Sequence, residues 1–300
     1  MGFSYLLVII TGIISGAIVV AGQVFSTNGL SLFELAVFPY VFTLIFLGPF
    51  LFKKKYRFKK ENLPLFLFYG FASALIIFGQ FGAVILKVPV PVVALLLYTQ
   101  PFWTIIFSRI FFKEMIHRES IIACVLVLIG VIFLTKPWEV NVNWVGLAVA
   151  FLGGVGLSLW VIAGSRSSKL GIPPVTSKYA EALFTFPFVF LAFPIIGLFV
   201  SDPAIVAFRF SWPWQMWAGL IVFNLVTQIF SHLCYLKGTQ KVPTVDAGII
   251  LLLEPVSAAV IAAVFLHQPI TANMVLGGTL IVLANYLVIR GSAAGQVVLK

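Results

Sequence analysis

Charge is what this sequence has least of. Only 9% of its 300 residues are Asp, Glu, Lys or Arg, against roughly 25% in a soluble domain. Histidine occurs three times, at positions 117, 232 and 267, too scattered to form a metal site. Cysteine occurs twice. Cys124 and Cys234 both lie inside apolar runs, so no disulfide framework is implied. CxxC, HExxH, GxGxxG and Walker-type loops are all absent. Soluble-enzyme and nucleotide-hydrolysis readings therefore have no motif behind them, and neither cofactor nor metal is expected.

What fills the chain instead is apolar: 61% of it is hydrophobic, including 31 phenylalanines. A helix that spans a bilayer needs about 20 such residues. Ten runs qualify, at 4–25, 33–52, 64–85, 91–112, 120–135, 144–165, 177–200, 214–236, 244–265 and 272–289. The expected fold is an all-α integral membrane protein. The first run lacks a basic leading segment and exceeds the length of a signal core, so it is read as a retained span. The phenylalanines are lipid-facing or core mass, not a code for aromatic cargo.

The net charge of +10 would suit nucleic acid, but its placement says otherwise. With the N-terminus inside, the inner segments hold KKKYRFKK (Lys53 to Lys60), Lys113, Arg118, Arg166, Lys169, Lys178, Lys237, Lys241, Arg290 and Lys300. The outer ones hold Lys87, Lys136 and Arg209. Basic residues collect on the cytoplasmic side, so both termini are expected there. The setting is the cell membrane, in a bacterium the inner one. The partners are the lipid bilayer and a small-molecule substrate, with no nucleic acid. KKKYRFKK is read as a topology anchor, with anionic-lipid binding as the alternative.

Shifted by 154 positions, KVPVPVVALLLYTQPFWTIIFSRIFFKEMI (87–116) lies over KVPTVDAGIILLLEPVSAAVIAAVFLHQPI (241–270) without a gap. The rare residues carry the match. Lys87-Val88-Pro89 meets Lys241-Val242-Pro243, Pro101 meets Pro255, and Gln100 meets Glu254. The expected halves are residues 1–139 and 140–300, with five spans each. An odd number of spans makes the second half enter the membrane from the opposite side. The result is a 5+5 inverted-topology repeat, an architecture typical of secondary transporters.

Lipid satisfies no polar group, so polar residues in spans are expected to face the bundle interior. Glu254 lies near the middle of its run, where a charge costs roughly 2.5–3.5 kcal/mol on insertion scales. Pro255 and Pro101 lack an N–H and deprive the carbonyls of Leu251 and Leu97 of their helical donors. Both are read as helix-breaking residues beside a cavity lined by Gln100 and Glu254. Glu254 is also the candidate for proton coupling. Its plainer alternative is a hydrogen bond to a neighbouring helix. In span eight, Asn224, Gln228 and His232 recur every four residues, followed by Tyr235, and positions so spaced share a face. Asn224 and Gln228 are read as pocket lining, His232 and Tyr235 as gate residues near the inner end. Interhelical hydrogen bonding, about 0.6 kcal/mol per bond, is the competing account. Tyr98 and Trp103 of span four, Gln23 of span one, Gln80 of span three and Trp160 of span six complete the candidate substrate-binding set. Tyr69 and Ser73 add polarity to span three. Gly12 and Gly16 are read as close helix packing. Thr244 and Asp246 are read as helix-start residues, and Glu34 and Glu181 as interfacial.

The segments LLLYTQPFWTIIFSRIFFKEMIHRESIIACVLVLIGVIF and ILLLEPVSAAVIAAVFLHQPITANMVLGGTLIVLANY both resemble the second part of an EamA domain. Its pattern is an apolar run, a proline, a second apolar run, a Gly-Glu-like turn and a final helix rich in small residues. Two such domains resemble a ten-helix member of the drug/metabolite transporter superfamily. Glu114 matches the turn glutamate, and Gln268 replaces it in the second domain. The arginine often found early in the family's second helix is absent from ELAVFPY (34–40). The resemblance implies a pocket framed by spans one, three, four, six, eight and nine, gated by spans two and seven. It also implies amino acids or amino-acid-like compounds as cargo, exported by alternating access. The expected protein is a monomeric transporter and not an enzyme. Efflux of hydrophobic cationic drugs past Glu254 is one alternative, and a membrane-embedded enzyme is another.

Overall fold

The computed structural model describes residues 2–114, 116–135 and 143–297. Lys136, Lys300 and the expected 139/140 boundary between halves lie outside them. Among the described residues the regular structure is entirely helical. The first half comprises α1 (Gly2–Thr27), α2 (Leu32–Leu47), α3 (Leu63–Ile85), α4 (Val90–Leu97), α5 (Gln100–Phe112) and α6 (Arg118–Thr135). The second comprises α7 (Trp144–Lys169), α8 (Pro174–Ile196), the short α9 (Pro203–Val206), α10 (Trp214–Phe223), α11 (Ser231–Gly238), α12 (Thr244–Leu251), α13 (Glu254–Leu266) and α14 (Ala272–Val297). Nine segments among the described residues are long and apolar enough to cross a membrane. The remaining expected span, 120–135, falls on the 18-residue α6, which packs along α14.

Local chemistry sets the helix ends. Proline occupies the first turn of α3, α4, α5, α8 and α13, where its missing N–H has no helical partner to lose. Ser31 caps α2 in a reciprocal box with Glu34. Lys113 ends α5 and His267 ends α13, both in the left-handed region at φ 53°. The α1–α2 and α7–α8 turns are made by Gly29 (φ 97°) and Gly171 (φ 72°), a conformation open to glycine at no steric cost.

The two halves repeat one backbone plan. α4 and α12 start at Val90 and Thr244, α5 and α13 at Gln100 and Glu254, and α6 and α14 at Arg118 and Ala272, each pair 154 positions apart. A second offset, 142, relates α1 to α7, α2 to α8, and Gly29 to Gly171. The halves interlock through small residues. A Cβ on Gly79 of α3 would lie 2.2 Å from the Gly153 Cα of α7, so these backbones touch, as small residues permit. α6 and α14 meet where Gly130 faces the Gly277 carbonyl. Large apolar side chains such as Ile13, Phe71, Ile110, Leu191 and Val264 point outward, as lipid-facing positions should.

Candidate functional site

Both expected helix breaks are present. α4 stops at Leu97 and α12 at Leu251, and each chain makes a two-residue turn before the next helix starts at Gln100 or Glu254. Each break is covered by a glycine from a first helix of the opposite half. A Cβ on Gly154 of α7 would lie 2.4 Å from the Leu96 carbonyl oxygen, and one on Gly12 of α1 would lie 2.8 Å from that of Ile250. These four residues are related by the two repeat offsets. Gly16, one turn on from Gly12, lies against Ser257 and Ala258 of α13. The Tyr98 hydroxyl, at the first break, donates to Glu254 Oε1 at the second over 3.2 Å. Gln100 is buried against Gly248 and donates to the Thr104 hydroxyl, which is 3.0 Å from Ser158 Oγ. The Gln100 Oε1 has no partner among the described residues. Gln100 thus packs beside the break and bonds within α5, while Glu254 is the residue bonded across it.

A ring cluster joins α3, α7 and α11 towards the end of the bundle that carries KKKYRFKK, here the basic end. The Tyr69 hydroxyl lies 2.7 Å from His232 Nε2. Trp160 stacks on Tyr235 with centroids 5.0 Å apart and meets His232 edge-on at 4.8 Å. Tyr235 donates to the Val161 carbonyl over 2.9 Å. Gly164 makes room beneath, since a Cβ there would lie 2.7 Å from the Tyr235 ring.

Beside this cluster lies a charge network that the sequence did not single out. Lys178 Nζ donates to Glu181 Oε2 over 2.7 Å, Ser73 Oγ donates to Glu181 Oε1 over 2.6 Å, and the Tyr40 hydroxyl lies 3.1 Å from Ser73 Oγ. Lys178 and Glu181 are each 2% exposed. Ser73, which bonds Glu181, lies one turn from Tyr69 on α3, and this sets the pair alongside the rings. The pair looked interfacial because it opens span seven. Both are nonetheless buried at the start of α8, where Ala180 between them packs with Phe66 and Ile172. The pair's one sequence signal was the i,i+3 spacing of opposite charges, which share a helix face.

Glu34 is also buried rather than interfacial. It accepts from the Arg209 backbone N–H at 2.7 Å and the Trp212 indole at 3.1 Å. Asn224 donates to the Pro39 carbonyl of α2 over 3.0 Å, and its Oδ1 is buried without a partner among the described residues. Residues Asn224–Phe230 form a π-helical stretch, a wider turn than the α-helix assumed for the expected stripe. The stripe is accordingly split. Asn224 faces α2, Gln228 is half-buried, and His232 belongs to the ring cluster. Thr244 and Asp246 stand in the first turn of α12, as expected of helix-start residues, but neither caps it, since Pro243 is the N-cap. Thr244 bonds Ser165, Lys169 and Glu114, and Asp246 accepts from Tyr5. Gln23 is exposed and bonded by Gln268, away from these groups. Gln80 is half-buried on α3. Trp103 packs edge-on against Phe151 at 5.3 Å, with its indole N–H buried and unpartnered. Among the described residues no group of three or more His, Cys, Asp or Glu is placed to hold a metal ion.

A family model described as "EamA-like transporter family" matches this chain twice, over residues 2–136 and 144–290. An uncharacterized transporter of Clostridium kluyveri is 20% identical over 302 residues, covering 94% of this chain and 92% of that protein. One of Archaeoglobus fulgidus is 24% identical, covering 78% of this chain and 80% of its own length. The uncharacterized transporter YyaM of Bacillus subtilis is 24% identical over 63% of this chain and 61% of that protein. A solved crystal structure superposes with a TM-score of 0.76 at 14% identity, covering 95% of both chains.

Proposed function

We propose, from the premise that this chain belongs to the EamA-like transporter family, that it exports amino acids or amino-acid-like compounds as a monomer. The chain is a multi-pass membrane transporter. In this reading its two halves alternate access to a mid-membrane site, with both termini cytoplasmic and the basic end inside. The observation that carries the reading is the buried Lys178–Glu181 pair beside Ser73, Tyr40, Tyr69 and His232. Ions are costly to bury, and within membrane spans they mark substrate or ion pathways. An ammonium and a carboxylate side by side, walled by Trp160 and Tyr235, complement the two charges of an amino acid and its side chain. Tyr98 and Glu254 at the helix breaks extend the path across the seam between halves.

The test separates function from folding. Breaking one side of a buried ion pair costs about 3–5 kcal/mol, whereas removing both charges is often tolerated. Glu181→Gln alone is expected to lower thermal stability. Lys178→Gln/Glu181→Gln together should restore stability but abolish amino-acid transport in proteoliposomes. A stable double variant that transports at the wild-type rate would make the pair structural and remove the basis of this reading.

A second reading, efflux of hydrophobic cations, rests on Glu254. Among the described residues no Lys or Arg pairs with it.

A further inference from the structure

At the basic end a cavity of about 320 Å³ opens between the α5–α6 link, the end of α7 and the start of α12. It stands apart from the ring cluster and the Lys178–Glu181 pair, none of whose residues line it. Among its lining residues are Glu114, His117, Lys169 and Lys241. Its volume sits at the lower limit of the roughly 300–1,000 Å³ of small-molecule sites. It therefore suits one metabolite of amino-acid size and not a large drug.

The charges are arranged in two parts. Glu114 Oε1 is already committed. It accepts from Lys169 Nζ and from the Thr244 hydroxyl, the latter over 2.9 Å. Glu114 Oε2 is buried and has no partner among the described residues. A carboxylate oxygen held out of water without a donor is costly, and an incoming ammonium removes that cost through a charge-assisted bond. The second part is basic. Lys241 and His117 are exposed at the cavity, and no ion pair engages Lys241 among the described residues. The lining thus combines a carboxylate oxygen without a donor among the described residues, two exposed basic side chains, and Asp246, which is bonded by Tyr5.

We propose that this cavity is a loading site for a zwitterionic amino acid, whose ammonium bonds Glu114 Oε2 and whose carboxylate is held by Lys241 and His117. The inference rests on the export reading, since it places the cargo first at the cytoplasmic mouth. The sharing of work is what the geometry explains. Glu114 ties the first half to Lys169 and Thr244 of the second through one oxygen and keeps the other for the ligand.

The experiment uses the purified full chain and calorimetric titration with L-amino acids from glycine to L-tryptophan. Each ligand is compared with its decarboxylated amine and its deaminated acid. At least one amino acid should bind wild type, and its amine and acid analogues should bind about tenfold or more weakly. Glu114→Gln keeps an acceptor for Thr244 but removes the charge. It and Lys241→Gln should each weaken binding about tenfold or more. In proteoliposomes both should raise KM with little change in kcat. Lys237→Gln, exposed at the same end but outside the cavity, should change neither. If Glu114→Gln does not fold, Lys241→Gln on the surface still decides. Binding by no amino acid, or equal binding by wild type and Lys241→Gln, overturns the loading site. Binding that depends on Lys241 without any transport would instead overturn the export reading and leave the site standing. Transport with unchanged KM in the cavity variants would do the reverse.

Discussion

Glu254 opens α13 inside the apolar segment Thr244–Leu266, and its carboxylate accepts a bond from the Tyr98 phenol. Its bond from Tyr98 is 3.2 Å, long for an O–H to oxygen bond. A contact so loose is easily exchanged for water or cargo, which suits a group that changes partner as the halves move. Tyr98→Phe should lower stability by about 1 kcal/mol or less, the net worth of one part-buried hydrogen bond, read as a small fall in Tm. Glu254→Gln keeps the acceptor and the shape but removes ionisation. If Glu254 couples transport to protons, this variant binds substrate yet loses pH-dependent, gradient-driven accumulation in proteoliposomes. Normal pH-dependent accumulation would leave Glu254 as a wall of the break and nothing more. At this scale the sequence was informative where a polar residue stood far inside an apolar run, as Glu254 and Gln100 do. It was misleading at Lys178, Glu181 and Glu34, which lie near run ends. Whether such a residue meets water depends on what folds against it, here Ser73 for Glu181 and the Arg209–Trp212 loop for Glu34.

The breaks work because whole helices, not single residues, are matched to them. An interrupted helix leaves carbonyls without donors, tolerable in a membrane only where protein covers them. α1 and α7 supply that cover through Gly12 and Gly154, which let backbone approach backbone. Close approach has a corollary on α1. A Cβ on Gly16 would lie 2.2 Å from Ser257 Oγ and 2.4 Å from the Ala258 nitrogen, whereas one on Gly22 meets nothing within 4 Å. Gly16→Val should therefore cost at least the 1–3 kcal/mol or so of an overpacked core, lowering Tm in detergent. Gly22→Val, on the same helix, should be close to neutral. Equal melting of the two variants would mean that α1 does not seat on the α12–α13 break as described. The break-bearing repeat was legible because Lys-Val-Pro and a mid-run proline are rare marks in apolar sequence. The companion offset of 142 was not, because its marks are lone glycines. The π-helical stretch was not legible either. Asn224, Gln228 and His232 fit a regular helix in every respect that spacing reveals, and it is packing against α2 and α3 that pulls their faces apart.

Across the whole molecule the polar bonds are unevenly shared. The basic end holds the Lys178–Glu181 and Glu114–Lys169 pairs, the Ser167–Ser177 contact and the bonds of Ser168 to the Leu236 carbonyl and from Thr239. The opposite end is closed mainly by rings: Phe25 against Phe223, Phe38 against Trp217, and Phe33 against Phe193 and Phe208. Ion pairs and hydroxyl bonds tie the helices together at the basic end, and ring contacts, with the bonds of Glu34, do so at the other. The proposed orientation of the two ends rests on the basic asymmetry. Lys53–Lys60 and the other inner cations flank spans closely enough for the positive-inside rule to act, and short helical turns hold the cluster between α2 and α3. In the proposed orientation the ion-paired end is the cytoplasmic one. Single cysteines decide this. In a Cys124→Ala/Cys234→Ala background, Lys55→Cys should resist an impermeant maleimide in intact cells and react in inverted vesicles. Ser201→Cys, exposed in the loop after α8 at the opposite end, should show the reverse. Labelling of Lys55→Cys from outside intact cells would invert the molecule. It would place the Glu114 cavity on the outer face and turn an exporter's loading site into an importer's.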